Sequence, residues 1–191
     1  MPLLDHFKII APFYDNVFGS GNHEKLFDFT DLPVQGVLLD AGGGTGRISQ
    51  YLKDEVEHVV IVDQSFDMLK QASVKEHLIT TCSLTEHLPF ADKTIARIIV
   101  IDALHHVCNQ EGTAKELWRI LEAGGRIIIE EPDIRNFGVK LLAIGEKLLG
   151  MRSHFLSPTK IANLFDNSAI IKIETEAPIA WVIIEKPEIQ T

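Results

Sequence analysis

Apolar runs that do not alternate with polar residues set the tightest limit on how this chain can fold. Val37-Leu38-Leu39-Asp40, Val59-Val60-Ile61-Val62-Asp63, Ile95–Asp102 and Arg126-Ile127-Ile128-Ile129-Glu130 are of this kind, and Leu78–Cys82 is a weaker example. A strand apolar on both sides must be covered on both sides, as in a parallel sheet with helices above and below it. Helix-patterned stretches fill the gaps. A helix is expected through Arg47–Lys53, another after the capping residue Ser65 with Met68 and Leu69, and a third over Glu111–Glu122, ended by Gly124-Gly125. The end of the chain breaks the alternation. Ile170–Thr175 and Ile179–Glu185 both read as strands, yet only a few residues around Glu176-Ala177-Pro178 join them. A parallel crossover needs about a dozen residues, so this pair must be antiparallel. The expected fold is therefore α/β: a doubly wound, mostly parallel seven-stranded sheet ending in an antiparallel hairpin.

Composition narrows the function classes. The 191 residues are 46% apolar and 24% charged, which suits one globular domain and argues against disorder. No apolar run approaches the roughly 18 residues that span a bilayer, so no integral membrane segment is expected. The stretch MPLLDHFKIIAPFYD lacks the basic start of a secretory signal. Cys82 and Cys108 cannot build a disulfide framework, so a cytoplasmic location is expected. The formal charge of −9 repels phosphate backbones, so no nucleic-acid partner is expected.

The segment Leu38-Leu39-Asp40-Ala41-Gly42-Gly43-Gly44-Thr45-Gly46-Arg47 carries the most chemistry. Glycines this dense after a buried strand let the backbone turn tightly against a ligand. A helix starting near Thr45 would aim free N–H groups at that ligand. Asp63 closes the second strand 21 residues after Gly42 (63 − 42), where a carboxylate can accept hydrogen bonds from both ribose hydroxyls. The spacing of Gly42, Gly44 and Gly46 is G-x-G-x-G, not the G-x-G-x-x-G of dinucleotide sites, and Arg47-Ile48 excludes a phosphate-loop nucleoside triphosphatase. A plain reading, in which Asp40 and Asp63 only cap turns, stands beside the functional one.

Four pieces in order are similar to the class I S-adenosylmethionine-dependent methyltransferases, small-molecule type, typified by quinone and menaquinone C-methyltransferases. They are LLDAGGGTGRIS at 38–49, VVIVDQSFDML at 59–69, TEHLPFADKTIARIIVIDALHHV at 85–107 and LEAGGRIIIEEP at 121–132. The resemblance implies a Rossmann-like methyltransferase fold and S-adenosyl-L-methionine as cofactor, with S-adenosyl-L-homocysteine as product. It implies that Asp40 helps orient the methionine amine, that Gly42 and Gly44 lie against the cofactor, and that Asp63 grips the ribose. Gln64 and Met68 would flank the adenine, Thr85 would offer its backbone N–H, and Asp102 and Ala103 would close the site. Tyr14 and Arg47 are candidates for the donor's carboxylate. Where the family commonly has an acid facing the adenine amine, this chain has Leu84. That loses a hydrogen bond worth about 0.5–1.5 kcal/mol.

Other residues have bland readings. Leu84, Leu88, Pro89 and Phe90 suit packing, and Cys108 suits a small buried hydrophobe. In His105-His106, adjacent side chains should point apart, and no Cys or acid stands at zinc-ligand spacing. No metal is expected, and His106 is kept as a candidate general base. The expected organisation is a single domain: an N-terminal helical lid at 1–35, a cofactor-binding core at 36–132, a substrate-covering insertion and helix at 133–168, and the hairpin at 169–187. Phe7, Phe13, Tyr14 and Phe18 would cover a small-molecule acceptor from one side. The stripe Leu141, Ile144, Leu148 and Met151 suits core packing, a homodimer contact, a pocket wall or an interfacial helix. The implied reaction is methyl transfer to an apolar or aromatic acceptor. A nicotinamide oxidoreductase and a non-catalytic cofactor-binding module are the competing readings.

Overall fold

The structure is a computed structural model that describes residues 23–148 and 153–188. Tyr14, Met151 and the aromatic cluster of residues 7–18 lie outside the described residues. Among the described residues, seven strands form one sheet in the order β3-β2-β1-β4-β5-β7-β6. They are β1 (Val37–Ala41), β2 (His58–Asp63), β3 (Leu78–Cys82), β4 (Ile95–Ile101), β5 (Leu121–Pro132), β6 (Ile170–Glu176) and β7 (Ile179–Glu185). The first five are parallel, and β7 lies antiparallel between β5 and β6. The expected sheet and its terminal hairpin are both present.

Period-two geometry divides each strand between two cores. Leu39, Val60, Ile98, Ile127 and Val182 face one way and meet Leu117, Ile120, Ile161 and Phe165. Their neighbours Leu38, Val59, Ile99, Ile128 and Ile183 face the other way and meet Leu26, Ile48 and Leu52. The first core is supplied by α3 (Gln110–Ile120) and α5 (Pro158–Ala162), the second by α1 (His23–Thr30). Helix α2 (Phe66–Ala72) packs Leu69 and Ala72 on Ile61. Burial on both sides is why the strand runs are continuous.

Three expectations about local structure are corrected. The segment Arg47–Lys53 is a chain of turns around a single 3-10 turn at Ser49–Tyr51, not an α-helix. Two of its bonds run three residues back, from the Tyr51 N–H to the Ile48 carbonyl and from the Leu52 N–H to the Ser49 carbonyl, and a single bond runs four back, from the Gln50 N–H to the Gly46 carbonyl. Ser49 is held down by its hydroxyl, which donates to Asp40 at 2.6 Å, while Ile48 and Leu52 are drawn into the core. Helix α3 ends at Ile120, and Gly124-Gly125 lie inside β5. There the register shifts between Ile95 and Arg97, and Gly124 takes a φ of +74°, the mark of a bulge rather than a helix stop.

The apolar stripe of α4 (Phe137–Leu148) does not enter the core. Leu141, Ile144 and Leu148 are 54%, 57% and 83% exposed, and Val139 alone among the helix's residues is buried. The described part of the expected N-terminal lid lies on the sheet: Leu26 is buried, and Phe29 meets Trp181 edge-on with ring centroids 5.3 Å apart.

Candidate active site

The chain reverses direction across the sheet between β1 and β4, and ligands of open α/β sheets bind at the carboxyl ends of strands at such a switch. A cavity of about 540 Å³ opens there. Asp40 comes from the end of β1, Asp63 from the end of β2, and Asp102 follows β4. Asp40, Gly42, Gly44, Arg47, Asp63, Gln64, Met68, Leu84, Thr85, Asp102, Ala103 and His106 all line the cavity. Residues 60 positions apart in sequence are thus brought to one rim.

The loop earns its glycines. Gly42 and Gly44 have φ of +77° and +55°, a region that side chains disfavour. Gly43, not among the expected cofactor contacts, lies so close to Asp40 that a Cβ would overlap its carboxyl group. The loop's N–H groups are spent internally. Those of Gly42 and Gly43 donate to the Val62 carbonyl at 2.7 and 3.3 Å, and that of Gly44 donates to Asp63 Oδ2 at 3.0 Å. With no α-helix behind it, the loop does not present the helix dipole expected from the sequence. Asp63 also takes the Ser65 N–H on Oδ1 at 2.7 Å, so its turn-capping role is real in this structure. Ser65 in turn caps α2 as expected, accepting from the Met68 N–H.

Electrostatics follow from burial. Burial raises the Asp40 carboxyl to about 6; the Ser49 hydrogen bond and Arg47 oppose it, and Asp63 reinforces it. Asp102 is raised as well, by burial first, with His105 pulling the other way. Glu130 reaches about 7 through burial and the neighbouring charge of Asp102. Buried carboxyls held this high fit a cationic ligand, whose charge would restore their ionised form. Met68 is buried and touches the cavity, so it serves packing and lining together. Thr85 points its hydroxyl at Thr113, 2.9 Å away. Leu84 and Cys108 are exposed at the cavity; a buried role was expected for Cys108, and for Leu84 packing beside apolar contact with the cofactor.

The histidine pair departs most from expectation. His105 and His106 share the 3-10 turn Leu104–His106, and their ring centroids are 4.0 Å apart rather than pointing away from each other. Glu131 organises the turn: Oε1 accepts from the Ala103 and Leu104 N–H groups at 3.0 and 2.7 Å, and Oε2 lies 2.7 Å from His105 Nδ1. Burial works to lower His105, but the hydrogen bond and charge of Glu131 prevail and raise it. Burial and the neighbouring His105 push His106 down to about 3, so it is neutral near pH 7 and a weak base. Glu146, on α4, completes a group whose ligating atoms all lie within 4.8 Å of one another. No local spacing reveals that acid, 40 residues beyond His106. Glu131 has a faint signal in the strand-end pair Glu130-Glu131.

Residues 39–129 match the Methyltransferase domain family. A ubiquinone/menaquinone biosynthesis C-methyltransferase of Haemophilus ducreyi is 30% identical over 104 residues, covering 49% of this chain and 40% of that protein. A demethylmenaquinone methyltransferase of Thermobifida fusca is 26% identical over 151 residues, covering 76% of this chain and 62% of that protein. The chain thus spans about half the length of these curated relatives. Among solved structures, a chain from the complex of the Haloferax volcanii Trm112 methyltransferase activator with a candidate methyltransferase superposes with a TM-score of 0.80. It is 16% identical, with 98% of each chain covered, and supports the fold. The four ordered motifs, the seven-stranded sheet and the matched domain agree in making this chain similar to the class I S-adenosylmethionine-dependent methyltransferases.

Proposed function

We propose that this chain transfers the methyl group of S-adenosylmethionine to a small apolar or aromatic acceptor. One observation carries the reading: three carboxylates, Asp40, Asp63 and Asp102, rim a single glycine-floored cavity and no phosphate-binding N–H array accompanies them among the described residues. That donor set fits a sulfonium nucleoside with an amino-acid tail and does not fit a diphosphate. Bound there, the cofactor supplies an electrophilic methyl on a sulfur that leaves as a neutral thioether.

Asp63 would exchange its loop N–H partners, in part, for the ribose hydroxyls, so ligand binding and loop shape are coupled. Asp40 would face the amino group, fixed in place by Ser49. Arg47, and Tyr14 from the N-terminal segment, would take the carboxylate end. Gly42 and Gly44 would lie against the donor, Asp102 and Ala103 would close the site, and Gln64, Met68, Leu84 and Thr85 would enclose the adenine. Alignment and exclusion of water are then the protein's main contributions, worth about 7–11 kcal/mol of barrier when orientation is good. His106 faces the same cavity. Its low basicity suits accepting a hydrogen bond from an acceptor rather than stripping a tightly held proton. The N-terminal segment and the 133–168 region, with the exposed apolar α4, would cover the acceptor.

The test pairs calorimetry with methyl-label transfer. Binding of S-adenosylmethionine and S-adenosylhomocysteine, none of NADH, and label on phenols, quinols or apolar amines is the expected outcome. Binding of NADH instead, or turnover confined to nucleic acid or strongly acidic metabolites, would overturn the reading.

A further inference from the structure

We infer that His105, His106 and Glu146 form a binding site for a divalent transition metal, an N₂O donor set at the edge of the cavity. The ligating atoms come from two separate elements, the 3-10 turn after β4 and helix α4, and lie within 4.8 Å of one another. Two imidazoles and one carboxylate suit zinc and its neighbours. Ligands about 2.0–2.1 Å from a tetrahedral ion sit about 3.4 Å apart, so closure asks for roughly 1.4 Å of side-chain movement. Glu146 has the torsional freedom to supply it.

Two further observations point to a ligand. Oε2 of Glu146 is buried and accepts no hydrogen bond among the described residues, although buried carboxylate oxygens are ordinarily satisfied. It lies on a helix whose other large side chains mostly face solvent, so its inward turn has no packing explanation. The second observation is Glu131, fully engaged with two backbone N–H groups and His105 Nδ1. A carboxylate on one ring nitrogen is the device that orients a ligating histidine, leaving Nε2 as the metal-binding atom of His105. Phe155 stacks on His105 with ring centroids 4.3 Å apart, and Ser153 Oγ lies 3.4 Å from His106 Nδ1, so both rings are braced. Three protein ligands leave a fourth position open. Because His106 lines the cavity, a metal there would border it.

The test uses the full chain, stripped with a chelator and titrated with Zn²⁺ by calorimetry and with Co²⁺ by visible absorption. One ion per chain is expected, with the ligand-field bands of a four- or five-coordinate cobalt site. Glu146→Gln and His106→Gln should each weaken binding at least tenfold, and Glu131→Gln 10- to 100-fold by releasing His105. Cys108→Ser should leave it unchanged. Among the described residues Glu146 Oε2 accepts no hydrogen bond and the carboxylate's interaction with His105 is only coulombic, so the melting temperature of Glu146→Gln without metal should stay close to the parent's, which separates ligand loss from misfolding. Absence of stoichiometric binding, wild-type affinity in folded Glu146→Gln, or loss of binding in Cys108→Ser would overturn the site. Neither readout involves a methyl donor or acceptor, so the outcome is independent of the proposed activity.

Discussion

Asp40 shows how a single carboxyl can be costly to the fold and useful to the site. Its value is raised from the ordinary 3.8 to about 6, so the folded chain holds that proton more tightly than the unfolded chain. The sign follows: below about pH 4 the group is neutral in both states and costs nothing. As pH climbs from about 4 to about 6 the unfolded state gains its charge first, and stability falls. Above pH 6 the loss is constant, up to about 3 kcal/mol for a shift of this size. Asp40→Asn, which still accepts from Ser49, should therefore be more stable than the parent at pH 8 and equal to it near pH 3. Urea melts at the two pH values check this, and an equal gain at both would refute the assignment. Asp63 is a different case, since its two loop hydrogen bonds already stabilise the fold. Asp63→Ala should cost about 1–3 kcal/mol of stability, and calorimetry should show at least tenfold weaker cofactor binding. Loss of stability with unchanged affinity would make the carboxylate a turn cap and nothing more.

Elements were legible where burial alone determines them and obscure where a distant partner does. The continuous apolar runs predict β1, β2, β4 and the core of β5 because both faces of those strands are covered, whatever covers them. Arg97 looks like an intrusion in β4 until α1 is in place. Its Nε donates to the Thr30 carbonyl at 2.6 Å and Nη1 to that of Ala96, tying the C-terminal end of α1 to the sheet across 67 residues. Arg97→Met should leave two buried carbonyls unsatisfied and cost about 1–3 kcal/mol, which thermal denaturation would register. The Arg47–Lys53 segment reads as helix by pattern, but the Asp40–Ser49 bond and the short run into β2 tighten it into turns. Asp40, Gly42, Gly44 and Asp63 could be named from the glycine loop and the strand ends, since β-strand termini converge by topology, whereas Gln64, Met68, Leu84, Thr85, Asp102 and Ala103 rested on the family resemblance. Glu146 and Glu131 could not, because their relation to the histidines depends on how the chain after β5 returns. Helix α4 makes the same point in reverse: its stripe is clear in sequence, and the fold leaves it exposed. Leu141→Gln with Ile144→Gln should change stability by no more than about 0.5 kcal/mol and leave cofactor affinity unchanged. A large loss of stability in that double variant would show that the stripe is covered after all.

At the scale of the whole molecule, the fold and the charge act together on one ligand. The parallel order β3-β2-β1-β4-β5 brings three strand ends to one rim, and the antiparallel β7-β6 hairpin extends the sheet without adding a residue to that rim. Because Asp40 and Asp102 sit where burial disfavours charge, a cationic ligand gains most when they are ionised, and its binding must depend on pH. At 100 times its dissociation constant a ligand stabilises the fold by about 2.7 kcal/mol. For a chain of this size that is about 5–11 °C in melting temperature. At pH 5, with Asp40 near 6, about nine-tenths of that carboxyl is protonated. S-adenosylmethionine should then bind about tenfold more weakly than at pH 8, which is about 1.4 kcal/mol. Its thermal shift at fixed concentration should be about 3–5 °C smaller. Asp40→Asn should bind weakly at both pH values and lose most of this dependence, because its side chain has no proton to release. Equal shifts at pH 5 and pH 8 in the parent chain would mean that the carboxyls at the rim do not meet the ligand's positive charge.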